Sequence, residues 1–110
     1  MKIEEILKQP EGRKIEFKEV LPSRADLCKT AVAFANDAGG EIFIGIKDKP
    51  REVIGLPEEK LFEIEERISN IIHDNCYPVI LPDISFVNYK GKHVLKVTIY
   101  KGNDPPYYLK

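Results

Sequence analysis

Apolar and polar positions follow two rhythms along this chain. Ile3, Ile6 and Leu7 share one face of a short helix predicted over residues 3–8, which Pro10-Glu11-Gly12 ends. Lys14-Ile15-Glu16-Phe17-Lys18 then switches to period two, predicting a strand that turns Ile15 and Phe17 inward and Glu16 and Lys18 to the other face. Ser23, with Asp26 three residues on, makes a helix N-cap. Leu27, Ala31, Phe34 and Ala38 recur at helical spacing until Gly39-Gly40, and the intervening alanines allow close approach to a sheet. This is the central buried helix. Glu41-Ile42-Phe43-Ile44-Gly45-Ile46 is a nearly continuous β-prone run, suited to a strand covered on both faces. A turn at residues 47–50 and a short strand at 52–54 complete a hairpin.

In the second half, Leu61, Ile64, Ile68 and Ile71 or Ile72 form one stripe of a helix over residues 58–75, with Glu59, Glu63 and Glu66 on the remaining surface. Residues 83–101 read as two strands around Lys90-Gly91-Lys92, and Asn103-Asp104-Pro105-Pro106 interrupts the pattern. Tyr107-Tyr108-Leu109-Lys110 is β-prone with no visible closing element, so residues 1–110 read as one domain, the N-terminal fragment of a longer protein. The fold class is α/β: a mixed sheet in an α+β arrangement, with a buried central helix and β-hairpins.

Composition sharpens this picture. With 110 residues, 43% apolar and 32% charged, the chain has the makings of one globular core. A formal net charge of −1 excludes a protein that coats DNA by its overall field. The charge is uneven, however: residues 1–51 carry a slight basic excess and the stretch 58–66 is mainly acidic, so a polyanion should meet the first half. Arg13, Lys14, Lys18, Arg24, Lys47, Lys49 and Arg51 are the candidate phosphate contacts, which position a nucleic acid rather than read its sequence. No apolar stretch approaches the roughly 20 residues that span a bilayer, and Glu4 and Glu5 interrupt the N-terminus where a signal peptide needs an apolar run; a cytoplasmic protein is expected. Cys28 and Cys76 lack a CxxC partner and sit in apolar contexts suited to reduced, buried thiols.

Glu11, then Ile15-Glu16-Phe17-Lys18, Ala33-Phe34-Ala35-Asn36, Gly39-Gly40, Ile42-Phe43-Ile44-Gly45-Ile46, Asp48 and Val53-Ile54-Gly55-Leu56 occur in an order that resembles the Schlafen-type Alba-like domain, also called a divergent AAA domain. The resemblance implies an α/β fold and binding of DNA in prokaryotic transcriptional regulators and RecG-like proteins. It also implies, from RNA-cleaving Schlafen proteins, a metal-dependent endoribonuclease centre of two glutamates and one aspartate, at positions matched here by Glu11, Glu16 and Asp48. Such carboxylates suit Mg²⁺ or Mn²⁺, and Lys14 and Lys18 share the Glu16 face as phosphate partners. The chain has no GxxxxGK[ST] loop, so nothing in it supports ATP hydrolysis.

The same residues also have plainer readings. Lys14, Glu16 and Lys18 fit a solvated strand face, Asp48 a turn, Gly39-Gly40 a helix C-cap and Gly45 close packing. Asn36 and Asp37 either meet nucleic acid or satisfy backbone groups at a helix end. Tyr77, Tyr89, Tyr100, Tyr107 and Tyr108 either stack on bases or pack at sheet edges. His73 and His93 have no second ligand at metal spacing. In a third reading the β-prone C-terminal strands offer an edge for a homodimer.

Overall fold

The computed structural model describes residues 2–110. In chain order its elements are α1 (Ile3–Ile6), β1 (Ile15–Lys18), α2 (Arg24–Asn36), β2 (Gly40–Ile44), β3 (Ile46–Lys47), β4 (Glu52–Val53), a 3-10 turn (Glu58–Lys60), α3 (Leu61–Asn75), β5 (Cys76–Tyr77), β6 (Asp83–Tyr89), β7 (Lys92–Ile99) and β8 (Tyr108–Leu109). Four strands form the main sheet in the order β1-β2-β7-β6. β1 runs parallel to β2, with Phe17 opposite Phe43, and the other pairs are antiparallel. This is the mixed α/β sheet expected.

The alternation along β2 and β7 divides the core in two. Ile42, Ile44, Leu95, Val97 and Ile99 face α2 and α3, while Phe43 and Val94 pack with Ile6, Phe17, Ile46 and Val53 on the other face. β2 is therefore covered on both sides, as its unbroken apolar run requires. Ser23 Oγ accepts the Asp26 N–H at 3.2 Å and starts α2, which buries Leu27, Cys28, Ala31, Phe34 and Ala35. Gly39, at φ +81°, stops it by donating its N–H to Phe34 O, so Ala38 lies beyond the helix and exposed rather than on its apolar stripe.

Three further features depart from the sequence expectation. The run through Ile46 is not one strand: Gly45 takes φ +110° and breaks it into β2 and β3. Its N–H bonds to Lys18 O, and its carbonyl receives the N–H groups of Ile54 and Gly55, which turns the chain into the β3–β4 hairpin. α3 starts at Leu61, its first buried residue, after the 3-10 turn that follows Pro57. The C-terminal run does find a closing partner, since β8 pairs with β5. Asn36 holds the approach to β8 like a strand neighbour: its amide Nδ2 donates to Tyr107 O at 2.9 Å and its Oδ1 accepts the Tyr107 N–H at 2.6 Å. Among the described residues, no helix is long and apolar enough to cross a membrane.

Candidate nucleic-acid interface

The structure spreads the seven candidate cations over different tasks. Arg13 makes a two-pronged contact with Asp37, the second prong at 2.6 Å, which ties β1's approach to the end of α2. Hydrogen bonds from Arg13 hold the Asp37 carboxyl below the usual carboxylate range, and the same contact raises the Arg13 guanidinium. Lys18 sits 3.4 Å from Glu16 on the strand face they share. Arg51 is spent inward: its guanidinium bonds Asp48 and the carbonyls of Leu7 and Gln9. Lys14, Arg24, Lys47 and Lys49 have no acidic partner among the described residues, and Arg24 stands apart from Lys14 on a different groove, beside Cys28 and Asn75.

The approach to β1 organises a run of adjoining grooves around Lys14. A groove of about 400 Å³ runs between β1 and α2, with Arg13 and Lys29 among its walls and Glu16 and Asp37 between them. Residues 9–15 line the adjoining groove, and Lys14 and Ile15 continue into a third, of about 360 Å³, at the end of the sheet. There Ala38, Gly39 and Gly40 form a floor with little side chain, bounded by Tyr100 and Lys101. Gly39 is required at that point, because a Cβ on it would come within 2.8 Å of Ile99 O. Of the four acids on these grooves, Asp37 is held by Arg13, Glu16 by Lys18, Glu41 lies 3.6 Å from Lys96, and Glu11 accepts the Phe17 N–H with no cation partner among the described residues. Lys14, Lys29 and Lys101 remain as cations without an acidic partner among the described residues. Lys29 and Lys101 are not among the seven cations that the sequence singles out. Lys101 lies 87 positions from Lys14 in the numbering, and only the pairing of β2 with both β1 and β7 brings their strand ends together.

The three carboxylates matched to a metal centre are each engaged elsewhere. Glu11 Oε2 accepts the Phe17 N–H at 2.8 Å, satisfying an outward backbone donor of the edge strand. Glu16 lies on the α2 side of β1, in the groove with Lys29 and Asp37. Asp48 is bound by Arg51, which lies over Phe17 on the opposite face of the sheet. No group of three acidic, His or Cys side chains able to hold a metal ion occurs among the described residues. This donor arrangement does not fit a shared Mg²⁺ or Mn²⁺. The remaining chemistry is equally quiet: Cys28 and Cys76 are buried thiols, and burial pushes Cys76 up to about 12. His73 bonds Asp74 at the surface, and His93 Nε2 lies 3.8 Å from Glu58.

Comparison with known proteins agrees with this architecture. An ATP-binding protein of Ureaplasma parvum is 39% identical over 91 residues, covering 80% of this chain and 26% of the relative; the chain thus spans about a quarter of that protein's length. The solution structure of the N-terminal domain of a Nitrosomonas europaea protein, named as related to the ATP-dependent DNA helicase RecG, superposes with a TM-score of 0.74 at 22% identity, over 98% of this chain and 77% of that one. A Corynebacterium diphtheriae crystal structure matches with a TM-score of 0.62 at 21% identity, over 94% of this chain and 25% of that one. Both share the fold. Residues 11–110 match the Schlafen AlbA_2 family, nearly the whole of the described structure, and the chain belongs to that family.

Proposed function

We propose that this domain binds nucleic acid through the phosphate backbone, as the DNA-contacting part of a larger regulatory or helicase-related protein. One observation carries the reading: Lys14, Lys29 and Lys101 line adjoining grooves without an acidic partner among the described residues, while Arg13, Lys18 and Lys96 offset three of the four acids there. Lysine ammonium groups without a fixed carboxylate suit phosphates as mobile point charges, and neutralising phosphates releases condensed counterions. The Nitrosomonas protein of the same fold, named as related to a DNA helicase, supports the same partner class.

On this reading the cations contribute unevenly. Lys14 sits where the grooves meet and should contribute most; Arg51 is committed to the fold and should contribute nothing directly. Fluorescence anisotropy of labelled DNA and RNA at low and physiological salt tests the reading. Affinity should fall with salt, with a slope of roughly −0.9 per phosphate contact on duplex DNA. Lys14→Ala and Lys101→Ala should each weaken binding and flatten that slope by about one contact. Absence of measurable affinity at low salt would remove the reading.

A further inference from the structure

We infer that the groove at the sheet end takes an unpaired nucleotide, its base stacked on Tyr100 and its flanking phosphates at Lys14 and Lys101. The inference rests on the nucleic-acid reading and adds the class of strand, which net charge and lysines alone do not fix. Three features of the groove support it.

Tyr100 presents its ring rather than packing it, with 62% of the residue exposed. It follows directly on β7, and its phenol donates a hydrogen bond to Asp83 Oδ2 at 3.1 Å, so the ring is held in place before any ligand arrives. A fixed aromatic face flanked by cations is the platform that proteins use for single strands, because every base has a π-face and no base edge need be read.

The floor beneath is bare. Ala38, Gly39 and Gly40 offer almost no side chain, and the groove of about 360 Å³ above them is large enough for a nucleobase and sugar. A stacked duplex has no base face to offer laterally, so only a single strand, a loop or an end can enter this way.

Charge sorts the ligand's parts. Asp83, which accepts the Tyr100 phenol's hydrogen bond and has no cation partner among the described residues, repels a phosphate from the ring itself. Lys14 and Lys101 line the same groove and are its cations for the phosphates that flank the base.

The test is anisotropy with fluorescein-labelled oligonucleotides of one sequence, as single strand and as blunt duplex, against the wild type, Tyr100→Leu, Tyr100→Phe, Lys14→Ala and Lys101→Ala, with circular dichroism to confirm the fold of each. The expected result is tighter binding of the single strand. Tyr100→Leu should lose about tenfold on the single strand and little on the duplex, and Tyr100→Phe, which keeps the ring but loses its tether to Asp83, should lose clearly less than Tyr100→Leu. Equal affinities for both strands, or no effect of Tyr100→Leu, overturns the inference; if the lysine variants still weaken binding, the broader reading survives it. No binding by the wild type overturns both.

Discussion

The Arg51 guanidinium lies 3.8 Å above the centre of the Phe17 ring while bonding Asp48 at 2.8 Å, Leu7 O at 3.1 Å and Gln9 O at 2.6 Å. One side chain thus joins the α1 segment, the edge strand β1 and the β3–β4 turn, whose apolar residues Ile6, Phe17, Ile46 and Val53 share one core. Its side chain is only 17% exposed, so the planar fork is largely withdrawn from water and its hydrogen bonds are worth more than surface ones. Arg51→Met keeps the stem and removes the fork; it should lower unfolding free energy by about 2–3 kcal/mol. Arg51→Lys should recover little, because one ammonium cannot replace a fork that reaches two carbonyls and a carboxylate. Urea unfolding checks both, and nucleic-acid affinity of the folded Met variant should match wild type.

Arg51 also illustrates what the sequence conceals. As a residue in a basic stretch it reads as a phosphate contact, and nothing local reveals that Leu7 and Gln9, more than 40 positions earlier, turn their carbonyls toward it. The elements themselves were legible because each carries a local cause: the period-two run at Ile15 and Phe17, the Ser23 cap, the Lys90-Gly91 turn. Lys90 at φ +50° and Gly91 at φ +79° make the mirror-image turn that matches strand twist. The groove was not legible, since Lys14 and Lys101 meet only through the order β1-β2-β7. The Asn36 latch on Tyr107 was half legible: asparagine near a helix end does satisfy backbone groups, but those of a segment 71 residues away.

Gly45 offers a sharper test of the strand break. A side chain at φ +110° is strained whatever the space, and a Cβ there would also come within 3.2 Å of His93 O. Gly45→Ala should cost about 2 kcal/mol, the usual scale of such backbone strain. For a domain of this size that is a fall in Tm of roughly 10 °C. Differential scanning calorimetry measures it. Gly91→Ala, also at positive φ but in open space, should cost less.

Cys76 links stability to pH. Burial raises its thiol from the ordinary 9.0 to about 12, so the folded state favours the protonated form. A group whose folded pKa lies above its unfolded value stabilises fully below the unfolded pKa and loses that contribution as pH rises through the folded one. Stability from this thiol should therefore decline between about pH 9 and about pH 12, and Cys76→Ala should flatten that part of the profile while lowering the plateau through lost packing. At pH 8 the native thiols should resist a water-soluble disulfide reagent and react on unfolding; rapid labelling of the folded protein would contradict the burial assigned to them.

Asp37 is a brake on the proposed interface. It holds Arg13 beside Lys14, and a phosphate approaching that groove must compete with its carboxylate for the guanidinium. Asp37→Asn should release Arg13, tighten binding by several-fold at low salt and steepen the salt slope by about 0.9, the mark of one added phosphate contact on duplex DNA. Both partners are solvent-exposed, so the change should be small in stability and visible in affinity. The pH behaviour follows from the depressed carboxyl of Asp37: the Arg13 contact is present above the ordinary carboxylate pKa and is lost only as pH falls through the lower folded value. Affinity should therefore not change on account of Asp37 across the neutral range, and the Asn variant should behave there as the wild type does only in acid. An anisotropy titration at two salt concentrations decides it: unchanged affinity and slope in Asp37→Asn would mean that Arg13 does not face the ligand, and would leave Lys14, Lys29 and Lys101 as its contacts.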